Sequence, residues 1–244
     1  MNRTFISIIT AACIIIYFSN CNKTTSASPS VLRIFNVDPT LQSQDMFLNG
    51  GAPQVTGLSY GDNTKSVPIL PGTYNIKLAP TGTTTFSADY NIDFSAGKNY
   101  MMFLLNVNGA IQPEVFDENI QRLGVDTAEF RFLTFSPNAP LMNVAIKSDT
   151  AKFDTTYTIF TNRHFNDAYA NRQYAQFTRI TSGPYNLKLQ YLVVDSTAVN
   201  FYRAVTFDSI PVQFDPGKSY SVYTRGYFDS SGGAPFKIDT LINK

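Results

Sequence analysis

The residues whose types and spacing could perform chemistry begin with Gly57-Leu58-Ser59-Tyr60-Gly61, which fits the Gly-x-Ser-x-Gly pattern of a serine nucleophile. That pattern needs a sharp turn between a strand and a helix, and a histidine as general base. His164 is the only histidine in the sequence. Pro68 and Pro71 follow the motif closely, and proline interrupts a helix. The motif therefore predicts a turn and not a nucleophile.

Metal and carboxylate chemistry have little support. Asp167 follows His164, but no second imidazole or thiolate completes a transition-metal site, and we favour a surface-loop histidine. The 18 acidic residues include two local pairs, Asp117-Glu118 and Asp89 with Asp93. No spacing identifies a glycosidase pair or a calcium loop, and aspartates of β-proteins usually cap turns. We expect no enzymatic activity, no metal and no cofactor.

The overall charge excludes one large class of partners. Lysine and arginine total 19 against 18 acidic residues, which leaves a net charge of +1. A protein that neutralises phosphates needs a basic surface, so we exclude nucleic acid as a partner. Arg33 and Arg131 could each contact an anion. We favour a structural role, with the aliphatic stem along a sheet and the head in water or paired with an aspartate.

Aromatic side chains among polar residues are the best candidates for ligand binding. Five of them lie between positions 157 and 174: Tyr157, Phe160, Phe165, Tyr169 and Tyr174. Their rings could stack on sugars or anchor a protein partner. Alternatively, this segment covers a sheet edge or an otherwise exposed core.

The N-terminus resembles an export signal. A largely apolar run at 5–18 suits a signal-peptide core and is short for a membrane span, which needs about 20 residues. Ser19-Asn20-Cys21 then resembles a bacterial lipobox, whose cysteine is acylated and becomes the mature N-terminus. Cys13 also follows small residues, but too little core precedes it. We predict a signal peptide at 1–20 and lipidation of Cys21; a plain secretory signal or an uncleaved anchor are the alternatives.

An acylated Cys21 would determine both the location and the chemistry of the protein. The folded part would contain no thiol, which removes disulfides and cysteine nucleophiles. Acyl CH₂ groups at about 0.8 kcal/mol each would hold the protein to a membrane, which is its first expected partner. Residues 21–30, rich in Ser and Thr, would form a flexible tether. We predict a lipid-anchored protein of the outer membrane, with its periplasmic or surface face left open.

The rest of the chain contains one unit twice. Four segments recur in the same order at offsets that grow from 98 to 111 to 120 residues. The matched segments are 31–39 with 129–137, 45–48 with 143–146, 71–78 with 182–189, and 94–100 with 214–220. The second copy therefore carries insertions of about 13 and about 9 residues. We predict a tandem duplication, with repeat 1 at 31–125 and repeat 2 at 126–244.

Both copies have the pattern of β-structure. Apolar and polar residues alternate at 74–78, which is typical of a strand with one buried face. Pro-Gly pairs at 71–72 and 216–217 are typical of type II turns. Residues 100–105 are apolar on both faces, which predicts a central strand, and 113–123 allow a short helical turn. The predicted fold class is all-β: two tandem Ig-like antiparallel β-sandwich domains after a signal peptide.

Four motifs of the first copy resemble an envelope family called domain of unknown function 4397. They are an Arg33-x5-Pro39 strand, Gly57-Leu58-Ser59-Tyr60-Gly61, Pro71-Gly72-Thr73-Tyr74 and Ala96-Gly97-Lys98-Asn99-Tyr100. The second copy has residues 169–174 in place of the Gly-Leu-x-Tyr-Gly segment. This family often occurs in tandem behind lipoprotein signals. The resemblance, over about 31–232, implies an all-β fold and export, and it implies no activity.

These observations predict a non-enzymatic bacterial cell-envelope lipoprotein. Its tandem β-sandwich modules would serve binding, adhesion or scaffolding, with a glycan or a protein as the partner. The alternative is a glycan-binding accessory protein that uses the aromatic side chains of the second-copy insertions. A hydrolase built on Ser59 and His164 is the third and least supported hypothesis.

Overall fold

The structure is a computed structural model that describes residues 28–118, 123–149, 156–194, 202–229 and 233–243. The predicted signal peptide at 1–20 and the predicted lipidation site Cys21 lie outside these ranges. Within the described ranges, no helix is long and apolar enough to cross a membrane. The described part is almost entirely β, with sixteen strands, one short α-helix and one 3₁₀ helix.

Repeat 1 consists of eight strands arranged in two four-stranded sheets. The strands are β1 (Ser30–Asn36), β2 (Gln44–Leu48), β3 (Pro53–Leu58), β4 (Val67–Ile69), β5 (Gly72–Pro80), β6 (Ala88–Phe94), β7 (Asn99–Val107) and β8 (Ala110–Asp117). One sheet has the order β4-β1-β7-β8 and the other the order β3-β2-β5-β6. The predicted alternation on β5 is confirmed, because Ile76 and Leu78 are buried in the core between the sheets while Lys77 is not.

Repeat 2 also consists of eight strands in two four-stranded sheets. The strands are β9 (Thr127–Thr134), β10 (Met142–Ser148), β11 (Thr156–Arg163), β12 (Thr178–Thr181), β13 (Gly183–Val194), β14 (Tyr202–Phe214), β15 (Ser219–Arg225) and β16 (Lys237–Ile242). The sheet orders are β12-β9-β15-β16 and β11-β10-β13-β14. Helix α1 (Asp167–Ala170) and the 3₁₀ helix (Arg172–Ala175) lie between β11 and β12.

The two repeats have the same topology, because each strand of repeat 1 has a counterpart eight strands later, at the same position in the corresponding sheet of repeat 2. The predicted all-β sandwich class is confirmed. One pair in each repeat is parallel, β1 with β7 and β9 with β15, and the other pairs are antiparallel. Alternation within a strand does not indicate the direction of its neighbour, so the sequence did not predict this parallel pair.

The two insertions of repeat 2 have distinct structures. Strand β13 has 12 residues where β5 has 9, and β14 has 13 where β6 has 7, so this hairpin is nine residues longer. The earlier insertion includes α1 and the 3₁₀ helix, whereas repeat 1 passes from β3 to β4 without a helix. The predicted short helix at 113–123 is wrong where it is described, since Pro113 belongs to β8. Strand β8 is a sheet edge, where proline is tolerated.

The same turn precedes the seventh strand of each repeat. Gly97 (φ +66°) and Gly217 (φ +73°) supply the positive φ that the turn requires. In both repeats, the following tyrosine hydroxyl accepts a hydrogen bond from a backbone N–H five residues earlier. The pairs are Ser95 with Tyr100 (2.9 Å) and Asp215 with Tyr220 (2.8 Å).

Three hydrophobic cores hold the molecule together. One lies between the sheets of repeat 1 and one between the sheets of repeat 2. The third core, which we call the seam, joins the repeats and contains Phe35, Met101, Phe103 and Leu105 of repeat 1 with Leu133, Phe135 and Tyr223 of repeat 2. Strand β7 therefore has both faces buried, as its apolar sequence predicted, with one face in repeat 1 and the other in the seam.

Candidate binding site between the repeats

The first insertion of repeat 2 folds around a buried ion pair. Arg163 Nε lies 2.6 Å from Asp167 Oδ2, and Arg163 Nη2 lies 2.8 Å from Asp167 Oδ1. Both side chains are at most 1% exposed. The guanidinium carbon lies 5.6 Å from the ring centre of Phe132, 5.5 Å from that of Phe160 and 5.0 Å from that of Tyr174. The pair thereby fixes α1 and the 3₁₀ helix against the core of repeat 2.

This ion pair also accounts for the carboxylate that follows His164. Asp167 accepts hydrogen bonds from Arg163, from the Thr134 hydroxyl (3.1 Å) and from the His164 backbone N–H (3.2 Å). The His164 ring is exposed and its Nδ1 lies 3.2 Å from the Phe165 carbonyl oxygen. Among the described residues, no three His, Cys, Asp or Glu side chains are grouped so as to hold a metal ion.

The five candidate aromatic residues have different surroundings. Phe160 packs in the core of repeat 2, with its ring centre 5.3 Å from that of Phe130, and Phe165 packs against the seam. Tyr174 is 38% exposed and its ring contacts Arg163. Tyr157 on β11 and Tyr169 on α1 are each 60% exposed. Tyr169 lines the groove between the repeats, and ligand binding by the five residues stays a prediction.

A groove of about 520 Å³ lies between the edge strands β6 and β8 of repeat 1 and the helical insertion of repeat 2. We call it the seam groove. Its ligand-capable side chains are Tyr90, Asn91, Asp93 and Gln112 from repeat 1, and Tyr169 and Arg172 from repeat 2. The half-buried Tyr90 donates a hydrogen bond from its hydroxyl to the Ile111 carbonyl (2.6 Å), which orients its ring. Because both repeats contribute to the lining, the groove depends on their docking.

Arg172 connects the insertion to repeat 1. Its Nη1 lies 3.3 Å from Glu114 Oε2, and its guanidinium carbon lies 5.2 Å from the ring centre of Phe116. Burial raises the pKa of Glu114, while the charge of Arg172 and a hydrogen bond from Asn166 act in the opposite direction. The buried Glu114 carboxylate therefore anchors the half-exposed Arg172 at the edge of the groove.

A smaller cavity of about 180 Å³ adjoins the seam groove, since Val115 and Arg172 line both. Arg131 on β9 reaches this cavity and is only 2% exposed. Its Nε donates to Ser221 Oγ (2.8 Å) and its Nη1 to the Asp117 carbonyl (3.2 Å). Within the described part of the chain, Nη2 has no hydrogen-bond partner.

The surroundings of Arg131 are apolar on two sides. Its guanidinium carbon lies 5.3 Å from the ring centre of Phe116 and 4.7 Å from that of Phe177. Burial lowers the pKa of Arg131 to about 10, and the opposing attraction of the carboxylates, Glu118 above all, does not cancel it. From the sequence, we expected the guanidinium of Arg131 to lie in water or to pair with an aspartate. The structure instead buries it between two rings.

The other chemical candidates have structural partners. Lys98 Nζ lies 2.5 Å from Asp117 Oδ2, and the Arg33 guanidinium pairs with the Glu118 carboxylate. The Ser59 hydroxyl lies 2.7 Å from the Ser43 hydroxyl in the connection between β3 and β4. As the prolines predicted, no helix follows Ser59 in the described chain before β4 and β5.

The sequence reasoning missed the repeat 1 side of the groove. Tyr90 and Asn91 lie on β6, where polar and apolar residues alternate as on any exposed edge strand. Tyr90 and Tyr169 are far apart in sequence, and only the docking of the repeats brings them to one groove. The one available signal was Asp93, which forms a local carboxylate pair with Asp89 in the sequence.

The fold and groove define a tandem β-sandwich protein whose repeats are joined by an apolar seam. The family described as "Domain of unknown function (DUF4397)" matches residues 30–145. This match agrees with the resemblance that the motifs of the first copy indicated. The matched span includes all of repeat 1, strand β9 and the start of β10. No curated protein matches the chain.

Distant solved structures are similar in part. The C-terminal domain of AlgF from P. aeruginosa is 13% identical, with 38% of this chain and 98% of that chain covered and a TM-score of 0.29. A streptococcal virulence factor described as binding alpha-glucan is 12% identical, with 80% and 92% covered and a TM-score of 0.24. A putative cell adhesion protein from Parabacteroides distasonis is 9% identical, with 88% and 98% covered and a TM-score of 0.22. At these TM-scores, the likenesses carry no argument about function.

Proposed function

We propose that this protein is a non-enzymatic, lipid-anchored protein of the bacterial cell envelope that binds its ligand in the seam groove. The export signal and Cys21 support the location, and the tandem domain supports a binding or adhesion role. The observation that carries the proposal is the groove itself. It is open, it is built by both repeats, and it combines aromatic rings with polar side chains, as ligand sites do.

The chemistry of the groove favours a saccharide over an apolar ligand. The Tyr169 ring is 60% exposed and can stack on a sugar ring. Asn91 and Gln112 offer amide donors and acceptors, Asp93 offers acceptors and Arg172 offers donors, which suit sugar hydroxyls. Exposed aromatic and polar groups of this kind also suit a peptide, and a peptide-binding groove would give no binding to the glycans of the test.

The test is binding of the full-length, membrane-extracted protein in detergent to an array of bacterial and host glycans. We expect binding to a subset of glycans, and we expect Tyr169→Ala to weaken it about fivefold to tenfold, because aromatic stacking contributes about 1 kcal/mol. Tyr157→Ala is the matched control, since Tyr157 is equally exposed on β11. Binding that is lost equally in both variants, or no binding to any glycan, would reject a saccharide in the groove.

A further inference from the structure

We propose that the cavity beside Arg131 is an oxyanion subsite, which receives a carboxylate or sulfate group of an acidic saccharide lying in the seam groove. The inference deepens the proposed function and rests on it, because the cavity and the groove share Val115 and Arg172. The cavity therefore lies next to the groove, close enough for an acidic substituent of a bound saccharide.

The duplication provides an internal comparison for Arg131. In repeat 1, the equivalent residue is Arg33, and its Nε and Nη2 both donate to Glu118 Oε1. Glu118 follows β8, and its backbone N–H donates to the Asn99 carbonyl (2.8 Å) at the start of β7. The arginine of repeat 1 thus has a carboxylate within its own repeat.

Repeat 2 lacks the corresponding acid. Asn243 follows β16, and its backbone N–H donates to the Ser219 carbonyl (2.8 Å) at the start of β15, so it occupies the place of Glu118. Its Oδ1 accepts from the Ser221 hydroxyl (3.1 Å), which in turn accepts from Arg131 Nε. The position that carries a charge in repeat 1 therefore carries a neutral amide in repeat 2.

The charged groups around Arg131 do not replace this acid. Asp117 offers Arg131 its carbonyl, while its carboxylate pairs with Lys98. Glu118 pairs with Arg33, and Glu129 accepts from the Ser219 hydroxyl (2.7 Å). Arg172, the second guanidinium of the cavity, pairs with Glu114. None of these groups hydrogen-bonds to Arg131 Nη2 in the described structure.

A buried guanidinium with an unused nitrogen is costly, and an oxyanion removes that cost. Burying a charge is tolerated when the charge is paired and hydrogen-bonded. Arg131 is only 2% exposed, it lines a cavity of about 180 Å³, and its Nη2 has no hydrogen-bond partner among the described residues. A planar carboxylate or a sulfate offers two acceptors to such a group, in charge-assisted hydrogen bonds.

The experiment uses the full chain in detergent with four probes at constant ionic strength: sodium glucuronate, sodium acetate, sodium sulfate and glucose. Thermal shifts and calorimetric titration give the apparent affinities. We expect glucuronate and at least one of acetate and sulfate to bind and stabilise the protein more than glucose does. The affinities for acetate and for sulfate show which of the two oxyanions the cavity prefers.

The decisive variant is Asn243→Asp, which restores an acid where repeat 1 has one. We expect it to weaken anion binding about tenfold or more, the scale of one charge-assisted hydrogen bond, and to raise the Tm without ligand. Asn243→Ala adds no charge and is expected to keep anion binding. Lys218→Gln removes one positive charge from an exposed turn and should leave affinity unchanged.

Two results would overturn the inference: equal effects of glucuronate and glucose on the wild-type protein, or anion affinity that Asn243→Asp leaves unchanged. The comparison of glucuronate with glucose needs no variant, so it tests the inference even if Asn243→Asp does not fold. If the protein binds neutral glycans of the array in a Tyr169-dependent manner and shows no anion effect, the proposed function stands and the oxyanion subsite is removed. Array binding that is absent altogether would remove the proposed function instead.

Discussion

The rings of Phe103 and Phe135, one from each repeat, have centres 4.6 Å apart in the middle of the seam. Phe103 also stacks on Phe35 at 4.9 Å and meets Tyr223 edge-on at 5.3 Å. All four side chains are at most 6% exposed. The two repeats are therefore packed together along this contact as one hydrophobic core.

Replacing Phe103 tests whether the seam stabilises both repeats together. Phe103→Ala removes a ring that contacts four others, so we expect a loss of about 3–5 kcal/mol in the free energy of unfolding. Urea unfolding followed by circular dichroism measures it. Leu141→Ala, at a residue that is 58% exposed, should change stability by no more than about 0.5 kcal/mol. A Phe103→Ala protein as stable as the Leu141→Ala protein would show that the seam contributes no stability.

The β-sandwich was predictable because its signals are local. The alternation around Ile76 and Leu78 and the turn glycines Gly97 and Gly217 depend on residues that are neighbours in sequence. The duplication was predictable for the same reason, since each motif is short and repeated. Strand β7 was predicted to be central from its apolar faces, but the sequence did not reveal that one of them meets repeat 2.

The site was less predictable because it depends on distant contacts and on burial. Arg163 and Asp167 lie four residues apart among polar residues, a pattern typical of an exposed segment, yet they form the buried centre of the insertion. Phe160 and Phe165 were chosen as candidates on the same polar context, and both pack inward. The environment of Arg131 depends on Asn243, at the far end of the chain.

The Arg163–Asp167 pair gives a second prediction. Asp167→Ala leaves a buried guanidinium without its carboxylate, so we expect a loss of about 3–5 kcal/mol in the free energy of unfolding. The double variant Arg163→Met/Asp167→Ala removes both charges and should recover part of that loss, so that the effects are not additive. Chemical denaturation of Arg163→Met, Asp167→Ala and the double variant measures the coupling.

An exposed pair is the control for that cycle. Lys77 and Asp89 lie 3.4 Å apart, and the Asp89 side chain is 53% exposed. We expect Asp89→Ala to cost no more than about 1 kcal/mol, because solvent screens such pairs. Additive effects of Arg163→Met and Asp167→Ala would contradict the role assigned to the buried pair.

Asp45 gives a prediction on pH. Its carboxylate accepts from the Gly57 N–H (2.8 Å), the Thr81 hydroxyl (2.9 Å) and the Gly82 N–H (3.3 Å). The hydrogen bond from Gly57 above all lowers the pKa of Asp45 below its ordinary value of 3.8, against the effect of burial. The folded state thus favours the ionised form. The stability that Asp45 contributes is present above its unfolded-state pKa and is lost as the pH falls through the lowered value.

Asp45→Asn should therefore unfold more easily at pH 7, by about 1 kcal/mol, and the difference from the wild-type protein should close as the pH falls below about 4. Urea unfolding at a series of pH values measures the two curves. Asp126→Asn, at an exposed residue, should give a curve parallel to that of the wild type. A stability difference for Asp45→Asn that is constant with pH would show that the charge of Asp45 is not what the fold uses.

The predicted lipid anchor gives the last prediction, because the sequence contains two cysteines, Cys13 and Cys21, and each can be replaced alone. Cys21→Ser removes the thiol that would form the thioether bond to the lipid, and the protein should then lose fatty-acid label and leave the membrane fraction. Acyl CH₂ groups contribute about 0.8 kcal/mol each to membrane binding, so losing whole chains should release the protein rather than weaken its attachment slightly. Cys13→Ser is the matched control and should keep both label and membrane association. Label that depends on Cys13, or membrane association that survives in Cys21→Ser, would place the anchor elsewhere and would remove the basis for an outer-membrane lipoprotein.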